Sequence, residues 1–160
     1  MHSTIFGLEL VDALQPQELD VFNEDTLEFE DVSSFADYIA NFEDDQVIDN
    51  EMNYFVNFLK CETVKIDGKH IIKLTKEVVG NYLEKKLDAL KECVETLDLK
   101  KFANDPYELI ECVNDNFGYH IYNDHCLYTL DEFMKVAYRF YLREREVVYF
   151  QITGCIDYHY

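Results

Sequence analysis

Residues 62–74 read Glu62-Thr63-Val64-Lys65-Ile66, Asp67-Gly68, Lys69-His70-Ile71-Ile72-Lys73-Leu74. A two-residue loop between antiparallel strands needs positive φ at its centre, and Asp-Gly supplies it at low cost, so this segment predicts a tight hairpin near 61–74. Directly behind it, Thr75 is placed to cap a helix running to Leu97, with an apolar stripe of Val79, Leu83, Leu87, Leu90, Val94 and Leu97. Such spacing suits a core-facing helix or a short coiled-coil seam. Because it lasts only about two heptads, the core-facing reading is preferred. A hairpin joined to a long helix needs a sheet to complete and a face to cover. The expected class is therefore α+β, one domain over 1–160, with a mostly antiparallel sheet and three to five helices packed on it.

The remaining elements follow from the same rules. Thr4–Leu10 reads as a strand, followed by a loop at Gln15-Pro16. Alternation over Thr26–Val32 predicts a second strand, with Leu27, Phe29 and Val32 inward and Glu28 and Glu30 outward. Phe35, Tyr38, Ile39 and Phe42 recur at helical spacing behind Ser33 and Ser34, which predicts a short helix with Asp37 and Asn41 outside. Met52, Phe55, Val56 and Leu59 repeat the pattern, although 53–59 also suits a buried strand; helix is preferred. Asn104-Asp105-Pro106 opens a predicted helix bearing Leu109, Ile110, Val113 and Phe117, stopped at Gly118. Thr129-Leu130-Asp131-Glu132 is a capping box ahead of Phe133, Val136, Ala137 and Phe140. Val147–Ile152 is apolar enough for a central strand.

Charge divides the chain unevenly. Residues 1–59 carry 15 acidic and no basic residues, against 8 and 10 over 60–101 and 10 and 4 over 102–160. The net charge is -19. A field of that sign opposes DNA, RNA and anionic membranes as direct partners. Since the carboxylates alternate with Leu, Phe, Val, Ile and Tyr, they predict a folded acidic face rather than a solvated tail. If Phe35–Phe42 were helical, Glu43-Asp44-Asp45 would sit at its negative C-terminal pole, an arrangement stability alone would not select. The five cysteines, at Cys61, Cys93, Cys112, Cys126 and Cys155, are odd in number and contain no CxxC pair, so a reducing cytoplasm is expected, the host's if the chain is phage-encoded. No stretch is apolar enough to span a membrane, and Met1-His2-Ser3-Thr4 lacks a basic leader.

Catalytic chemistry has weak signals. Cys112, His120, His125 and Cys126 have ligand chemistry but not the short spacings of structural zinc sites. Asp49 with Glu62-x-x-Lys65 could hold a divalent ion in a nuclease, against the chain's own field. Glu43 to Glu51 lacks the glycine and the ligand order of a calcium loop. Glycine-rich phosphate loops are absent, and no metal or cofactor is expected.

The acidic third is harder to assign to solubility, which a mixed surface of lower net charge serves as well. A rigid array of carboxylates presents charge as phosphates do, and its natural partner is the basic groove of a nucleic-acid-processing protein. The predicted contact set is Glu24, Asp25, Glu28, Glu30, Asp31, Asp37, Glu43, Asp44, Asp45, Asp49 and Glu51, with Phe22, Phe29, Tyr38 and Phe42 as apolar anchors. In this general character, over residues 9–51, the chain resembles the small acidic inhibitors that phages and mobile elements direct against restriction or CRISPR nucleases; no motif carries the resemblance. It implies a non-enzymatic inhibitor acting by nucleic-acid mimicry. The alternatives are an immunity or antitoxin protein that neutralises a basic toxin enzyme, and a metal-dependent or thiol enzyme. A homodimer is compatible with the sequence.

Overall fold

The computed structural model describes residues 2–104 and 118–160. Its spine is β7 (Val147–His159), the longest strand, and β1 (His2–Val11) pairs antiparallel along nearly its whole length. The other edge of β7 is shared end to end. Val147–Ile152 pairs with β4 (Lys69–Thr75), and Ile156–His159 pairs with β2 (Tyr38–Asn41). Beyond β4 lies β3 (Glu62–Ile66); beyond β1 lie β5 (His120–Asn123), which runs parallel to it, and β6 (Cys126–Thr129). Among the described residues the fold is thus α+β, a seven-stranded and mostly antiparallel open sheet with five α-helices.

Both faces of the sheet are covered. One carries α2 (Asp45–Leu59), α3 (Lys76–Thr96) and α5 (Leu130–Val136), which with Phe6, Leu8, Ile72, Leu74, Phe150 and Ile152 enclose the larger core. Phe6 stacks on Phe55 of α2 at 4.2 Å between ring centroids. On the opposite face the chain between β1 and β2 lies against Ile5, Ile156 and Tyr158, burying Phe22, Leu27, Val32 and Ala36 in a second, smaller core.

Three local predictions that rest on turn and cap chemistry match the structure. Asp67 (φ 50°) and Gly68 (φ 77°) make the hairpin turn, with Val64 opposite Ile71. Thr75 Oγ1 accepts from the Val78 N–H, and Thr129 and Glu132 form both bonds of the capping box. Met52, Phe55, Val56 and Leu59 are the buried residues of α2, which settles helix over strand. The stripe on α3 is only partly core: Val79 is buried, whereas Leu87 and Val94 are half exposed. Past Ala137 the last predicted helix widens into a π-turn over Ala137–Tyr141, which leaves Phe140 exposed rather than on the core side.

Two predictions are overturned. Thr26–Val32 is not a strand: Asn23 caps a 3₁₀ turn over Glu24–Thr26, and α1 (Phe29–Val32) follows. Leu27 and Val32 are nonetheless buried, as that alternation expected of them. Phe35–Phe42 is not a helix, because Tyr38–Asn41 is captured by the free edge of β7 as β2. Glu43 and Asp44 therefore precede α2 and Asp45 opens it, instead of all three ending a helix. Asp44 is its N-cap, accepting from Gln46 N–H at 2.7 Å, so the macrodipole favours charge that was expected to be misplaced. The helix predicted between Asn104 and Gly118 falls on 105–117, outside the described residues; α4 (Leu99–Asn104) precedes it.

Candidate functional site

The acidic segment is fixed to the sheet at points along β7. The Gln151 side chain clamps the Gln17 backbone, accepting from its N–H at 2.7 Å and donating to its carbonyl at 3.0 Å. Phe22 N–H donates to the Thr153 carbonyl, and the Phe22 ring stacks near Tyr122 at 5.1 Å. Asp37 N–H donates to the His159 carbonyl, and β2 completes the attachment. With Phe22, Leu27, Val32 and Ala36 turned inward, the segment presents carboxylates outward from a backbone that is held in place.

The predicted contact residues divide into three groups. Asp25, Glu28, Glu30, Glu43 and Asp45 are exposed, and within the described residues their carboxylates have no hydrogen-bond or ion-pair partner. A second group uses its charge inside the molecule. Glu24 Oε2 accepts from Asn41 N–H at 3.2 Å while Glu24 N–H donates to Asn41 Oδ1. Asp31 accepts from Glu28 N–H, and Asp44 caps α2. Asp37 lies 2.8 Å from His159 Nδ1, a hydrogen bond that holds its carboxyl below the usual range. Asp49 is held low in the same way by Lys65 and then His70, a cluster that ties α2 to the hairpin. Glu51 belongs to the helical face of the sheet, where it accepts from Thr4 Oγ1 at 3.0 Å.

The third group is the aromatics. Phe22 is 4% exposed and serves the smaller core, so it cannot anchor a partner without unfolding its layer. Phe42 packs against the larger core. Phe29 opens α1. Tyr38 remains as a surface anchor at 52% exposure, and Val21, not among the predicted contacts, is also exposed, at 69%.

Nor does the geometry assemble the enzyme candidates. On β3, Glu62 and Lys65 are three residues apart and so point to opposite faces; Lys65 meets Asp49, while Glu62 pairs across the strand with Lys73 at 2.7 Å. Among the described residues no three His, Cys, Asp or Glu side chains converge to hold a metal, and Cys112 lies outside them. His120 is buried and stacked on Phe35 at 4.1 Å, while His125 is exposed in the β5–β6 turn. Burial pushes the Cys61 thiol up to about 11 and the Cys155 thiol to about 12, far from the thiolate a nucleophile needs. A cavity of about 530 Å³ on the helical side is lined by His2, Thr4, Glu51, Phe58 and Tyr119 among others; its carboxylates are engaged, Glu51 by Thr4 and Asp157 by His2 at 2.8 Å.

No described helix is long and apolar enough to cross a membrane. Comparison with known protein families, curated proteins and solved structures finds no match to this chain.

Proposed function

We propose that this chain is a non-enzymatic inhibitor that covers a basic nucleic-acid-binding surface of another protein, of the kind found on restriction and CRISPR nucleases or other defence enzymes. The observation that carries the reading is the attachment of residues 17–41 to β7 at successive points, because it converts a run of like charges into a fixed array. A mobile acidic tail would lose ordering entropy on binding; a held layer has already lost it. Asp25, Glu28, Glu30, Glu43 and Asp45 are the contact carboxylates under this reading, with Tyr38 and Val21 as apolar contacts at the rim of the charge. Glu24, Asp31, Asp37, Asp44 and Asp49 shape the layer rather than meet the partner.

The test starts from affinity capture at low and high salt to identify the partner, followed by competition between this protein and a DNA duplex for it. Changing Asp25, Glu28, Glu30, Glu43 and Asp45 together to Asn or Gln should abolish competition and flatten its salt dependence, since screening removes an attraction the variant has already lost. The control changes the exposed Glu77, Glu84 and Glu92 of α3. Equal effects from both sets, or competition undiminished in the first, reject the proposal.

A further inference from the structure

All three arginines of the chain fall within seven residues, Arg139, Arg143 and Arg145, at the pole of the molecule where β7 begins. This pole and the Asp37–His159 pair are separated by the length of β7, on the order of 40 Å at about 3.3 Å per residue. Arg139 lies in the π-turn, and Arg143 and Arg145 in the segment that follows it; Leu142, fully buried, closes the turn by donating its N–H to the Ala137 carbonyl five residues back at 2.9 Å. Arg139 and Arg143 line one side of that turn together with Lys76, Tyr138, Phe140 and Leu142, around a hollow of about 500 Å³. Tyr138 is 49% and Phe140 64% exposed, and the Arg139 guanidinium lies 5.3 Å from the centre of the Phe140 ring.

The arginines differ in their pairing from six of the lysines, although Lys60, Lys85 and Lys135 likewise have no ion pair with a described residue. Lys65, Lys69, Lys73, Lys76, Lys86 and Lys91 each meet a carboxylate, Lys76 meeting Glu146 at 3.1 Å, whereas none of the three arginines has an ion pair with a described residue. Arg139 and Arg143 place two like charges on one hollow, and although the chain has 33 carboxylates, none of the described ones pairs with either. Guanidinium is also the group best shaped to take two oxygens of a phosphate at once, and π-turns occur often at functional sites.

From this convergence we propose that the hollow between Lys76, Arg139 and Arg143 is a binding site for a small phosphate ester carrying a planar ring, of the nucleoside phosphate class. The phosphates bridge Arg139 and Arg143, relieving their repulsion, and the ring lies against Tyr138 or Phe140. A nucleic-acid strand is excluded by the acidic remainder of the molecule, which a small ligand at this pole does not have to approach; at physiological salt, charge is screened over about 8 Å. This site is independent of the inhibitor reading.

Isothermal titration at low salt with ATP, AMP, pyrophosphate and inorganic phosphate tests it, together with backbone and Tyr138 ring shifts by NMR. ATP should bind with shifts confined to residues 76 and 137–146. R139Q/R143Q should weaken it at least tenfold, with unchanged circular dichroism showing that the fold is kept. F140L/Y138L should reduce ATP to the affinity of pyrophosphate. Absence of binding at millimolar ATP, shifts elsewhere in the molecule, affinity unaltered by R139Q/R143Q, or pyrophosphate binding as tightly as ATP to the unmodified protein would each overturn the proposal.

Discussion

Gly7 and Gly154 face each other across β1 and β7, and the ring and backbone of Phe22 rest directly on the pair. A Cβ on Gly154 would lie 2.2 Å from the Phe22 carbonyl oxygen, and one on Gly7 would lie 2.4 Å from Phe22 Cβ. These two glycines are required for close approach, since neither has positive φ. Just past the pair, Thr153 is left without a partner on β1, so the sheet is bulged where the loop docks.

Gly154→Ala should therefore destabilise the protein by about 1–3 kcal/mol, because the clash is with backbone that cannot rotate away. Gly80→Ala, in the interior of α3 with nothing within 4 Å of the new Cβ, should instead add about 0.5–1 kcal/mol. Urea melts of the two variants check both signs. A neutral Gly154→Ala would mean that Phe22 is not seated as described.

His70 is 2% exposed, and burial, the largest influence on it, lowers its pKa from 6.5 despite the carboxylate of Asp49. The folded protein thus binds fewer protons at this site than the unfolded chain. Its contribution to stability is present above pH 6.5 and is lost as pH falls below that value toward the folded-state pKa. Asp37 and Asp49, both depressed, act in a lower window that begins near 3.8. Urea midpoints from pH 7.5 to 4.5 should fall in the unmodified protein and fall less in His70→Gln.

Thiol reactivity should be strongly uneven. In a Cys112→Ser background, the exposed Cys126 should react with a disulfide reagent at pH 7.5 in seconds to minutes. Buried Cys155, raised to about 12, should react only on unfolding, at least a hundredfold more slowly, and the partly buried Cys61, raised to about 11, at a rate between the two. Mass spectrometry of partly labelled protein reads the order, and equal rates for Cys155 and Cys126 would contradict the burial of the former.

Carboxylates that look alike in sequence should differ in effect. Glu24→Gln weakens the acceptor held against Asn41 N–H and should lower the melting temperature by a few degrees, in line with about 0.5–1.5 kcal/mol for a hydrogen bond. Asp25→Asn removes a charge with no described partner and should be neutral or slightly stabilising at low salt. Thermal melts at two salt concentrations distinguish them.

What could be read ahead of the structure was local chemistry. Asp67-Gly68, Thr75 and Thr129-x-x-Glu132 act over four residues or fewer, so their outcome does not wait on the rest of the chain. Tyr38–Asn41 is different. Its apolar spacing suits a helix, and only an unpaired stretch of β7, more than a hundred residues later, makes it a strand. The β5–β6 hairpin was missed because its turn places Asp124 and His125 at φ 49° and 59° with no glycine to signal it. The acidic segment was recognised as folded, but which carboxylates it uses internally depends on partners such as Asn41 and His159. The arginine cluster needed no structure to find. It was overshadowed by the larger acidic count.

The strand that three others lean on is contributed by residues 147–159, while its longest partner is residues 2–11; His2 and Asp157 meet across 155 positions. On a ribosome making the chain from its N-terminal side, β1 emerges without its antiparallel neighbour, and β2 has no edge to join until nearly everything between has been translated. The β3–β4 and β5–β6 hairpins and the helices are the parts that can take shape before β7. Until β7 is made this is an acidic, apolar-patterned chain whose sheet lacks its central strand, and its charge repels other nascent copies during the interval in which exposed strands would otherwise pair.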